Sequence, residues 1–371
     1  MLHATTATTL LGNIRANLTA IRGRVGDRLV LAAVKANAYG HGAVEVSRMI
    51  EATGAADWLG VATADEAVQL RDAGVQLPVL KLSHALSDAE VAACVERDVD
   101  LTVVSAASID QVARVAAERG RTASVHLKVD TGMRRIGCEP AAAPALARRA
   151  DAAGLILRGL FSHMPIADTD AGRDFTHAQV ARFAAVADAV VAARGRVEIV
   201  HLANSGGVMM HPESWFDMVR PGIMIYGSKP DPATRETVAL LPGLEWTTRV
   251  TFVKRVAAGE TVGYGRTWTA PRDTTIATLP VGYGDGYSRL LSNRGHVLVA
   301  GTSHPIVGRV CMDQTMIDLG PDAEVAVGAE AVLVGRQGNE GITVQELADL
   351  MGTIPYEVTC LIGARVTRSC R

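Results

Sequence analysis

Eight short apolar runs rich in β-branched residues recur along the first two thirds of the chain: RLVLAAVK (28 to 35), WLGVAT (58 to 63), PVLKLS (78 to 83), DLTVVS (100 to 105), SVHLKVD (124 to 130), LILRGLFSH (155 to 163), EIVHLANS (198 to 205) and MVRPGIMIYG (218 to 227). Between most of them lie Ala-rich segments such as ADEAVQLRDAG (64 to 74), SIDQVARVAAERG (108 to 120) and HAQVARFAAVADAVVAARG (177 to 195). In these, Ala, Leu and Val return every three or four residues, the helical period. A strand-helix unit repeated eight times predicts an α/β fold of the (β/α)8 TIM-barrel type, whose usual size is about 250 residues. An open doubly wound sheet is the competing arrangement.

The rhythm changes after the polar stretch SKPDPATRETVALLPG (228 to 243). WTTRVTFVKRV, TTIATLPVGYG, HVLVA, HPIVGRVCMDQTMIDL, AVLVGR and YEVTCLIGARVTR all read as strands with turn signals. Only TVQELADLMG (343 to 352) reads as a helix, with Thr343 as N-cap, Glu346 three residues on and Gly352 as C-cap. The expected domains are therefore a barrel over 1–239 and a mostly-β domain over 240–371.

Composition narrows the function classes. Lys and Arg (37) nearly cancel Asp and Glu (39), so a net charge of -2 gives no broad field for nucleic acid or an anionic membrane. With 4 Trp, 6 Tyr and 5 Phe there are few stacking platforms for single strands. No apolar run reaches the roughly 18 to 20 residues of a membrane span. The five cysteines are widely spaced without a C-x-x-C pair, the pattern of reduced, non-metal thiols. The opening MLHATTATTLLG lacks the regions of a signal peptide, and a cytoplasmic location is expected.

In a barrel, reactive groups lie at the carboxyl ends of strands and in the loops that follow. Those positions hold Lys35, Lys128, Asp130, Arg135, His163, Asn204, Ser205 and Arg220. Alone, a lysine at a strand end is ordinarily a snorkelling side chain. VKANAYGHG (34 to 42), however, places Lys35 before a Gly-containing loop with Tyr39 four residues on, and the segment resembles the cofactor-lysine motif of bacterial alanine racemases. The resemblance continues in order through LKVDTGMRRIG (127 to 137), FSH (161 to 163), ANSGG (203 to 207), VRPGIMIYG (219 to 227), VGYGRTW (262 to 268), LPVGYGDG (279 to 286), GRVCMDQ (308 to 314) and PYEVTC (355 to 360).

That resemblance implies an enzyme dependent on pyridoxal 5'-phosphate. A racemase removes the weakly acidic hydrogen of an amino acid's α-carbon and returns a proton to the opposite face. Side chains alone do not stabilise the resulting carbanion, whereas an imine to this cofactor does. Lys35 matches the residue that holds the cofactor and acts as base on one face. Tyr264 matches the second base, which in the family comes from the other subunit of a homodimer. A free phenol, with a pKa of about 10, is a poor base at pH 7, and His163 and Arg220 match its supporting neighbours. Arg220 also matches the arginine on the pyridine nitrogen, which leaves that nitrogen unprotonated.

No G-x-x-x-x-G-K-[ST] is present, and the G-x-G-x-G at 282 to 286 does not fit a dinucleotide fingerprint. The phosphate ligands implied are instead Ser205 with Asn204 at a helix start, the amides of Gly222 and Ile223, and the phenols of Tyr39 and Tyr356. Arg135 matches an arginine that reaches cofactor and substrate carboxylate, although Arg134 beside it leaves spacing alone to choose between the two. Lys128 matches a lysine that many relatives carry as a carbamate; unmodified, it would repel Arg135. Met312 and Asp313 match residues that in the family come from the partner subunit and lie near the substrate carboxylate, and Cys311 beside them reads as an inert buried thiol.

Two bulky rings, Tyr264 and Tyr356, favour a methyl side chain and hence alanine. One hydroxyl or methylene is worth only about 1 to 3 kcal/mol in such a pocket, so a serine-preferring or broad racemase is the alternative. The family's role is the supply of D-alanine for peptidoglycan. A non-catalytic pyridoxal-phosphate carrier would not need the β domain. A decarboxylase of similar architecture would place an acid where Arg220 stands.

Overall fold

The computed structural model describes residues 3–371. The chain forms two compact units. One comprises Ile14–Ala38 and Ala43–Leu241; the other gathers the chain up to Asn13, Tyr39–Gly42 and Pro242–Arg371. The division differs from a single cut after residue 239, because the strand Thr6–Thr9 pairs antiparallel with Leu244–Arg249 and parallel with Thr367–Cys370.

In the first unit, eight parallel strands close into a barrel: Leu29–Ala33, Trp58–Val61, Val79–His84, Val99–Val103, Ser124–Lys128, Ile156–Phe161, Ile199–His201 and Met218–Val219. Closure is made by Leu29 opposite Met218 and Val30 opposite Val219. Each strand falls on one of the eight apolar runs, with only His84 and Val99 reaching one residue beyond. Helices Ala64–Asp72, Ala106–Glu118 and Arg173–Arg194 follow the Ala-rich segments. The first two open on capping boxes at Thr63 and Ser105, which satisfy amides the first turn leaves unpaired. The last apolar run departs from expectation: after Val219 it becomes a short 3-10 turn, Ile223–Tyr226.

The second unit is mostly β. Among the described residues its main sheet runs Thr302–Pro305, His296–Val299, Glu330–Gln337, Leu244–Arg249, Thr6–Thr9, Thr367–Cys370, with Glu340–Ile342 added to Glu330–Gln337. A three-stranded sheet, Phe252–Val256, Thr274–Leu279 and Thr315–Gly320, contributes Leu279 and Ile317 to a core shared with Trp246, Leu298 and Val332. The helix Val344–Met351 is capped by Thr343, whose Oγ1 accepts from the Glu346 amide at 3.0 Å, and ends at left-handed Gly352. YEVTC is not a strand: Pro355–Cys360 is a helix, with Pro355 in its first turn where a missing N–H costs nothing.

Candidate active site

Lys35 stands two residues beyond the first barrel strand, and the chain after it coils the wrong way. Ala36, Asn37, Ala38 and Tyr39 all have φ of 52–53°. For L-residues each such conformation costs about 1 to 2 kcal/mol, so the surroundings must impose it. Glu66 does so: Oε1 accepts from the Ala36 amide at 2.6 Å, while Oε2 accepts from the Ala62 amide at 2.7 Å. Asn37 Oδ1 accepts from the Ala43 amide at 2.8 Å. The lysine therefore leaves the barrel on a braced, strained turn.

Lys128 ends the fifth strand and is 5% exposed. Its Nζ donates to the Leu82 carbonyl at 3.4 Å and lies 5.0 Å from the Phe161 ring centre. Burial, with Arg220, Arg135 and Lys35 nearby, pushes its amine down to about 7. The same three cations and Lys128, after burial itself, hold His163 well below its usual range, so the imidazole is neutral. Lys35, Lys128, Arg135, His163 and Arg220 are thus brought together. Arg134 adopts φ 55° and pairs with Glu139 at 3.1 Å, whereas Arg135 acts on Lys128 and His163.

Arg220 is buried and held by four acceptors: Ser162 and Leu202 carbonyls at 2.7 and 3.0 Å, His201 Nδ1 at 3.0 Å and His163 Nδ1 at 3.3 Å. Burial pushes the guanidinium down to about 9, still a cation at neutral pH. Beside it, Asn204 caps the helix Ser205–Met210 by accepting from the Gly207 amide at 3.1 Å. Ser205 Oγ accepts from the Gly222 amide at 2.9 Å, which joins the cap to the turn beginning at Ile223. A Cβ on Gly206 would come 2.8 Å from the Ala167 carbonyl, so close packing of backbones there requires glycine.

The remaining sequence-predicted residues belong to the second unit. Tyr264 is 76% exposed, on a turn between Gly263 (φ 75°) and Gly265 (φ 72°). Met312 is also exposed, and Asp313 pairs with Arg365 at 2.7 Å. The glycine-rich GYGDG segment is a platform for this loop: Tyr283 and Gly284 amides donate to the Cys311 and Met312 carbonyls at 3.0 and 2.9 Å. Buried Asp285 accepts from the Gly282 amide at 2.9 Å and from Arg365 at 2.7 Å. Tyr39 and Tyr356 meet with ring centres 5.7 Å apart, and burial raises the Tyr39 phenol. Cys311 is partly exposed rather than buried; desolvation and Asp313 still raise its thiol, which keeps it unreactive.

Glu66, Ser162, His201, Asp285 and Arg365 were not evident from sequence as supporting residues. For Glu66 the signal was present, since Thr63-x-x-Glu66 is a capping box directly after a strand.

A sequence model of the alanine racemase N-terminal domain matches residues 10–230, and one of the C-terminal domain matches residues 243–370. An alanine racemase of Cutibacterium acnes is 50% identical over 359 residues, 96% of this chain and 95% of that protein. The solved alanine racemase of Clostridium difficile 630 superposes with a TM-score of 0.94 at 32% identity, covering 100% of this chain and 96% of that one. A histidine racemase from Leuconostoc mesenteroides superposes with a TM-score of 0.92 at 30% identity, covering 100% and 98%. Among the described residues no helix is long and apolar enough to cross a membrane. With both domain models matched in order and identity of this extent, the chain belongs to the alanine racemase family and is an isomerase.

Proposed function

We propose that the chain interconverts L- and D-alanine with two bases, Lys35 on one face of the α-carbon and Tyr264 of the partner subunit on the other. The observation that carries this reading is the neutral His163 held by Arg220 among Lys35, Lys128 and Arg135.

The family depends on pyridoxal 5'-phosphate, and the residues present fit it. Four basic side chains, Lys35, Lys128, Arg135 and Arg220, surround one imidazole, and among the described residues Asp130 is the carboxylate acting on Lys128, so the site calls for an anion. Lys35 supplies an amine for the aldehyde; Ser205, the Gly222 and Ile223 amides, Tyr39 and Tyr356 are the proposed phosphate ligands, with Asn204 capping the helix. When bound, the cofactor delocalises the electron pair left on the α-carbon.

This chain's residues would do the rest. A guanidinium only donates, so His163 Nδ1 is an acceptor and the proton of the neutral ring sits on Nε2. That N–H is available to a phenolate, which is how a tyrosine becomes a usable base. Arg220, unable to yield its proton readily, would hold the cofactor at its ring nitrogen and leave that nitrogen unprotonated. Arg135, with Met312 and Asp313 contributed by the other subunit, would take the substrate carboxylate. Lys128, its amine brought down to about 7, is partly neutral at physiological pH. Its Nζ lone pair can bond to the carbon of CO2 and release a proton to solvent, turning a repelled cation into an anion that braces Arg135.

Exposed Tyr264 on its glycine-braced turn supports a homodimer in which each subunit completes the other's site. Alanine is the proposed substrate and D-alanine for peptidoglycan the proposed use; the shared architecture of a histidine racemase means that side chains, not the fold, set that choice. The test is α-hydrogen exchange with each alanine enantiomer: Tyr264→Phe should abolish exchange from one enantiomer far more than from the other. Equal losses overturn the two-base scheme, and faster turnover of another amino acid overturns the substrate.

A further inference from the structure

Arg220 is a buried cation whose acceptors among the described residues are two carbonyls and two imidazole nitrogens, none of them an anion. Its aim therefore depends on what fixes those neutral acceptors. One of them, His201, opens a line of hydrogen bonds through the barrel interior. Arg220 Nη1 is 3.0 Å from His201 Nδ1; His201 Nε2 is 2.9 Å from His126 Nδ1; His126 Nε2 is 3.2 Å from Asp100 Oδ2. Arg158 Nη1 closes the line, donating to both Asp100 oxygens at 3.0 and 3.1 Å.

The direction of every bond is dictated from one end. Because Arg220 has no acceptor, His201 Nδ1 must accept. Burial and the neighbouring cation Arg220 keep His201 neutral, so its one proton is on Nε2 and is given to His126 Nδ1. His126, accepting there, carries its own proton on Nε2 and gives it to Asp100. The relay climbs through the layers of the barrel: Asp100 is the second residue of the fourth strand, His126 the third of the fifth, His201 the last of the seventh, and Arg220 follows the eighth. Barrel interiors are usually filled by branched apolar side chains, and here both histidines and Asp100 are buried.

The neighbouring strand makes room for it. A Cβ on Gly159 would stand 2.0 Å from His126 Nδ1, so the sixth strand carries glycine where any side chain would expel that ring. Trp58 closes the other side with its ring centre 5.6 Å from that of His126, and Phe161 stacks on His201 at 4.7 Å. At the far end Asp100 and Arg158 border a cavity of about 110 Å³. Arg158 there also lies over Trp58.

We propose that Asp100, held by Arg158, fixes the orientation of Arg220 through the tautomer-locked pair His126 and His201, and that Asp100, His126 and Gly159 are positioning residues for the reaction. This rests on the reading that Arg220 faces the cofactor ring. Breaking any link lets His201 turn its proton toward Arg220, donor against donor, and the guanidinium loses the contact that aims it.

The test uses holoenzyme with nitrogen-labelled histidine. Nitrogen NMR of the wild type should show His126 and His201 both protonated on Nε2 alone. In Asp100→Asn the amide can donate to His126 Nε2, and both rings should shift toward the Nδ1-protonated form. The racemisation kcat should fall about tenfold or more with KM within about twofold, the size of loss typical of removing an outer hydrogen-bonded support. Gly159→Ala, which alters no titratable group, should give the same split. If the wild-type tautomers differ, the relay is overturned without any variant needing to fold. If Arg220→Met slows the reaction but Asp100→Asn changes neither tautomer nor rate, this inference fails while the reading of Arg220 stands; if Arg220→Met is silent, that reading fails first.

Discussion

Arg365 grips the fully buried Asp285 with two nitrogens, Nε at 2.7 Å from Oδ1 and Nη2 at 3.1 Å from Oδ2, and the same Nη2 reaches Asp313 at 2.7 Å. It also donates to the Met312 carbonyl at 3.2 Å. One guanidinium thus ties the loop proposed to receive the substrate carboxylate to an immobile carboxylate in the β unit. Arg365→Met is expected to raise KM for alanine about 3- to 10-fold with a smaller change in kcat, since it loosens binding more than it alters the reacting groups. Steady-state rates in both directions check this; an unchanged KM would separate the loop from substrate binding.

Lys128 gives a pH signature. Its folded-state pKa of about 7 lies below the ordinary 10.5, so between these values the unfolded chain holds a proton that the folded chain has shed. Stability of the cofactor-free protein should therefore rise with pH across that window, and Lys128→Met should flatten the rise. Denaturant unfolding at stepped pH measures it. With isotope-labelled bicarbonate, carbon NMR should show a carbamate resonance that Lys128→Met lacks.

Shared sites predict complementation. Lys35→Ala and Tyr264→Phe homodimers should each be nearly inactive, yet remixing after dissociation should restore about a quarter of the wild-type rate, because half of the dimers are mixed and each contains one intact site. No recovery, with mixed dimers confirmed by mass, would place both bases in one subunit.

Gly40 has φ +83°, and a Cβ there would stand 2.1 Å from the Thr359 carbonyl oxygen of the helix Pro355–Cys360. Gly40→Ala combines overpacking of about 1 to 3 kcal/mol with a left-handed backbone penalty of about 1 kcal/mol. A fall of at least about 2 kcal/mol in denaturant unfolding is expected.

The barrel was legible because each strand is a β-branched run set between helical periods, and the first helices announce themselves with side-chain caps. The helix Pro355–Cys360 was not, since six residues are too few to show a period and Val358 and Thr359 favour strand. Thr6–Thr9 was hidden for another reason: TATT has no apolar face, and its partners are distant in sequence. Within the site, Lys35, His163 and Arg220 were readable from motif. The different surroundings of Arg134 and Arg135 follow from the left-handed turn at Arg134, which adjacent arginines do not signal, and nothing in SVHLKVD marks the space that Gly159 keeps for His126.

The pairing of Thr6–Thr9 with Leu244–Arg249 and Thr367–Cys370 has a consequence for biosynthesis. The ribosome releases that strand well before its neighbours, Leu244–Arg249 after more than two hundred further residues and Thr367–Cys370 later still. Until then its hydrogen-bonding groups face water or chaperones, and non-local pairing of this kind is slow. Nascent chains truncated before Leu244 should thus carry an unclaimed ribbon, making premature termination more hazardous for this polypeptide than its orderly repeats imply.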